Sequence, residues 1–96
     1  MVRILRIMEM ERIFDTLRAL YDQGALRVRE NPKQRELLNT LIRYYESPVW
    51  RQDYEADERG ELPQSLKRGV LSQDGLYDFL DQIHPSREER KAPYEG

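Results

Sequence analysis

Apolar residues recur through the first third of the chain at Ile7, Met10, Phe14, Leu17, Tyr21 and Val28, with Gly24 in the one remaining slot. Their spacing alternates three and four, which is the a/d seam of a heptad repeat. Ile13 and Leu20 sit beside that seam and widen it toward the stripe of a globular helix. The pattern predicts one long helix over about residues 3–29, roughly 40 Å if straight. A compact domain of this mass needs less, so the first turns are expected to project or to pair with a second copy. Gly24 is expected to weaken or bend the helix.

Asn31-Pro32 breaks the pattern and restarts it, asparagine as N-cap and proline at the first helical position. Leu37, Leu38, Leu41, Ile42 and Tyr45 then give the stripe of a second helix, about Pro32 to Glu46. Ser47-Pro48 repeats the device and starts a third helix, which Gly60 is placed to end. Pro63 keeps the next stretch a loop, with Leu62 and Leu66 able to plug into the core. Ser72 caps a fourth helix, Gln73 to about Ile83, with Leu76, Phe79, Leu80 and Ile83 on one face. His84 and Pro85 close it. No segment alternates as a strand does. The expectation is an all-α fold: a long N-terminal helix and three shorter ones in a small bundle over residues 1–84, then a disordered, flexible tail at 85–96.

Composition narrows the function classes. Ninety-six residues make one domain with a thin core. The absence of cysteine removes thiol chemistry, disulfides and Cys-based metal sites. A net charge of −2 gives no general pull toward nucleic acid or an anionic membrane. The opening MVRILRIM mixes basic residues into a short apolar patch, unlike a signal peptide, and the protein is expected in the cytoplasm.

Candidate chemistry concentrates between Trp50 and Gly69. From Asp53 to Glu61 five acids face one base, Arg59, and the turn Lys67-Arg68-Gly69 follows. One reading folds Lys67 and Arg68 back onto Asp53, Asp57 or Glu58 through charge-assisted bonds. A second has Asp53 and Asp57, one turn apart, share a divalent cation with Glu61, although no EF-hand loop or histidine accompanies them. A third uses the basic turn for phosphate. Trp50 and Tyr45 are expected in the core; Tyr44 and Tyr54 are left open between core and partner surface, and Tyr77 sits beside the stripe of the fourth helix. The binding candidates are therefore Trp50, Asp53, Tyr54, Asp57, Glu58, Lys67 and Arg68. No catalytic residue, metal site or cofactor is assigned, since neither Ser47 nor Ser72 has a histidine to activate it.

The segment SPVWRQDYEADERGELPQSLKRGVLSQDGLYDFL, preceded by Tyr44-Tyr45, resembles the hallmark of a small bacterial family known only as a domain of unknown function. The resemblance rests on Ser47 and Trp50, the acidic run Asp53 to Glu58, Leu62-Pro63, Leu66 to Ser72, and Leu76, Tyr77 and Leu80. Gln73 stands where the pattern has an acid, and MVRILRI looks like an extension, with a start at Met8 or Met10 as the alternative. The resemblance implies no activity. The functional expectation is a protein–protein interaction or regulatory module, homodimeric through the first helix or bound to another protein. The alternative is a small enzyme or cation binder built on the acidic cluster and basic turn.

Overall fold

The computed structural model describes residues 2–83. It has four α-helices: α1 (Val2–Asp22), α2 (Pro32–Tyr45), α3 (Pro48–Glu58) and α4 (Gln73–Ile83). One 3-10 turn, Gly69–Leu71, precedes α4. The fold is all-α with the first helix the longest. The expected tail at 85–96 lies outside the described residues.

The capping residues set the helix starts as anticipated. The Asn31 side chain accepts from the backbone N–H groups of Lys33 and Gln34, Ser47 Oγ from Trp50 and Ser72 Oγ from Gly75. Each satisfies donors that a helix N-terminus leaves unpaired. At its other end α1 departs from the expectation. It stops at Asp22, not near residue 29. Gly24 turns to φ +70°. The Gly24 N–H then donates to Tyr21 O and that of Ala25 to Leu20 O, the paired bonds of a Schellman turn. Gly24 therefore terminates the helix instead of bending it. Val28 is buried because the chain folds back, not because the helix continues. Gly60 ends α3 with the same geometry, φ +72°.

The core gathers Ile7, Phe14 and Leu17 from α1, Leu38 and Leu41 from α2, Trp50 and Ala56 from α3, and Leu76 and Leu80 from α4. The seam positions Ile7, Phe14 and Leu17 thus face the chain's own interior. The first turns do not project: Arg3 and Arg6 reach across to Asp53 on α3, and Ile7 is fully enclosed. Arg3, Arg6 and Ile7 are thus tied to the rest of the fold, while Val2 and Leu5 stay exposed.

The 3-10 turn is the hub. It packs on α1, α3 and α4, with Val70 and Leu71 buried at its centre. Leu62 is buried and Leu66 half-buried against the same core, so the loop between α3 and the turn is tethered at both leucines.

Candidate functional site

Among the described residues two carboxylates lie in the interior, and they are treated differently. Asp53 is wholly enclosed. Its Oδ2 accepts from Arg6 Nε at 2.9 Å and from the Tyr44 hydroxyl at 2.7 Å. Its Oδ1 accepts from Arg6 Nη2 at 2.7 Å and Arg3 Nε at 3.1 Å. Four donors fill the carboxylate, two of them the fork of one guanidinium. Burial pushes the Asp53 carboxyl up, but the bonds from Arg6 and Tyr44 and the charges of Arg6 and Arg3 outweigh it, leaving the group below the usual carboxylate range. Burial, then the bond to Asp53, pushes the Tyr44 phenol well above its ordinary value. This cluster fastens α1, α2 and α3 together.

The second carboxylate is Glu11. It is 6% exposed and its Oε1 accepts from the Val70 N–H at 2.8 Å. On the other side of the same residue, the Trp50 indole N–H donates to the Val70 carbonyl at 3.0 Å. Both backbone groups of Val70 are thus held by side chains, one from α1 and one from α3. Gly69 makes room for this: a Cβ there would stand 3.1 Å from Glu11 Oε2.

Beside Glu11, α1 and the loop 59–68 leave an open cleft of about 520 Å³. Ile4, Met8, Glu11, Arg12 and Asp15 line it from α1; Pro63, Ser65, Leu66 and Lys67 line it from the loop. The α1 residues follow one helical face for eleven positions, roughly 17 Å. Met8 is 53% exposed, and Val2 and Leu5 continue as exposed apolar residues on the same helix.

The seven candidate binding residues do not form one site. Trp50 is core, edge-on to Tyr45 with ring centroids 5.0 Å apart and stacked on half-buried Tyr54 at 5.2 Å. Asp53 belongs to the arginine cluster. Arg68 does fold back, its Nε 3.4 Å from Asp57 Oδ1, and it also donates to the Pro63 carbonyl. Lys67 turns the other way, to Asp15 of α1 at 2.9 Å. Glu58 is exposed. The cation-sharing arrangement is not met. Asp53, Asp57 and Glu61 each have their own arginine, and among the described residues no group of three or more His, Cys, Asp or Glu is placed to hold a metal. Among them also, no helix is long and apolar enough to cross a membrane.

The residues that sequence reasoning missed are Arg3, Arg6 and Glu11. Glu11 carried a signal: it stands one turn after Ile7 and one turn before Phe14, on the buried face. Arg3 and Arg6, three apart, share a face with Ile7, but nothing local marks Asp53 as their partner.

Residues 7–89 match the family described as Domain of unknown function (DUF4298). The chain belongs to this family. The match takes in both interior carboxylates, Val70 and most of the cleft, while Arg3, Arg6 and Ile4 precede it. No curated protein and no solved structure matches the chain.

Proposed function

We propose that this member of the family is a small interaction module that receives a segment of another protein in the cleft between α1 and the loop 59–68. The observation that carries the reading is the cleft itself. It is an elongated opening with Ile4, Met8, Pro63 and Leu66 as apolar walls, on a chain whose interior already holds its own seam. Met8 is itself exposed at the edge of the cleft. Regulation by occupancy is the role such a module would serve, and the cysteine-free chain suits work in the bacterial cytoplasm.

A second copy is the other occupant, now at the cleft rather than at the seam. A photo-crosslinking amino acid placed in the native cell at Met8, at Ser65 and, as a control on α2, at Glu36 separates these cases. Partner adducts confined to Met8 and Ser65 and removed by Leu66→Glu support the reading. Adducts of the chain with itself alone point to the homodimer, and adducts equally strong at Glu36 overturn both.

A further inference from the structure

The two interior carboxylates differ in what satisfies them. Asp53 accepts four hydrogen bonds and is flanked by two guanidinium groups. Glu11, almost as deeply set, accepts one, from Val70, on Oε1. Among the described residues no donor reaches its Oε2. No sealed side-chain oxygen or nitrogen among those residues lacks a partner, so Oε2 is an atom that solvent touches, and Glu11 lines the cleft. A glutamine would accept the Val70 N–H equally well, so that bond does not require a charge. Water can answer that oxygen while the cleft is open, and an occupant that displaces the water has to replace it with a donor.

The cations around the cleft are engaged elsewhere. Arg12 is bonded through two nitrogens to Glu9. Lys67 feels the charge of Glu11, yet its hydrogen bond goes to Asp15. Of the charged side chains in the lining, Glu11 is the one that makes no close ion pair, its carboxylate bonded instead to the Val70 N–H. Resting on the interaction reading above, we propose that the occupant is a peptide segment with a lysine or arginine among apolar residues, the cationic N–H groups donating to the Glu11 carboxylate. The chemistry of the cleft fits both parts of such a side chain. Ile4, Met8 and Leu66 would cover its methylene stem, and the carboxylate would take its head.

The test selects peptides from a random library on the intact protein. Selected peptides are expected to carry a lysine or arginine beside apolar residues and to lose binding to Met8→Glu. Replacing the cation by citrulline or norleucine should weaken binding to the native protein about tenfold or more, in line with a charged hydrogen bond. Glu11→Gln keeps the acceptor for Val70 and should bind the cationic and neutral peptides alike. The citrulline comparison uses the native protein, so it stands even if that variant folds poorly. Peptides that depend on Met8 but show no preference for a cation would overturn the charge inference and leave the docking reading intact. A library that yields no peptide sensitive to Met8→Glu would overturn both.

Discussion

Replacing Arg6 by methionine tests the account of the interior most directly. Arg6 supplies two of the four bonds to Asp53 and the closest cation, at 2.7 Å. Removing one member of a fully buried pair costs about 3–5 kcal/mol, because the other charge is left uncompensated. Two features reduce this. Arg3 and Tyr44 remain on the carboxylate, and the Arg6 side chain is 27% exposed, so water can enter where it stood. The expected loss is about 2–3 kcal/mol, a large share of the ~5–15 kcal/mol that holds a domain together. It should appear in urea unfolding at neutral pH as a lower midpoint with an unchanged slope. Acid titration gives an independent readout. The Asp53 carboxyl sits below its unfolded value, so its stabilisation is complete above about pH 4 and is lost as pH falls through the folded value. Asp53→Asn should flatten that acid limb. Arg12→Met, which breaks an exposed pair with Glu9, should leave the midpoint almost unmoved. If Arg6→Met is no worse than Arg12→Met, or Asp53→Asn keeps the acid limb, the arginine cluster does not hold the fold as argued.

Two further substitutions address the clamp on Val70. Gly69→Ala brings a Cβ to 3.1 Å from Glu11 Oε2, and its effect on thermal unfolding should change when Glu11→Ala is already present, since the two positions touch. Trp50→Phe removes the indole donor from a buried carbonyl and should cost about 1–3 kcal/mol; a neutral result by calorimetry would mean the clamp is dispensable.

The starts of α2 and α3 were legible in the sequence because each is written in two adjacent residues: Asn31-Pro32 and Ser47-Pro48 combine a cap with a proline that fits only the first turn. The end of α1 was not. A glycine in phase with a heptad reads as a mild defect, and Val28 falls on the same phase by coincidence, so the pattern ran past a turn that Gly24 makes. The basic turn was half legible. Arg68 meets Asp57 across a short loop, whereas Lys67 meets Asp15 at a separation of 52 positions, which no local rule anticipates. The interior cluster was hidden for the same reason. Asp53 reads as one more acid on an acidic helix until Arg6 is brought to it from 47 positions away.

The clamp on Val70 also bears on the order in which a growing chain can fold. Glu11 is among the first residues synthesised, and the amide it binds follows 59 positions later. Until that residue has left the ribosome, α1 lacks the 3-10 turn that packs on it, although Tyr44 and Asp53 of the arginine cluster are already out. The packing of α1 on α2 and on Asp53 can form earlier, but the face that carries Glu11 must wait for nearly the whole domain. A nascent chain stalled before Val70 emerges should therefore be more open to protease around Glu11 than one stalled after α4 has emerged.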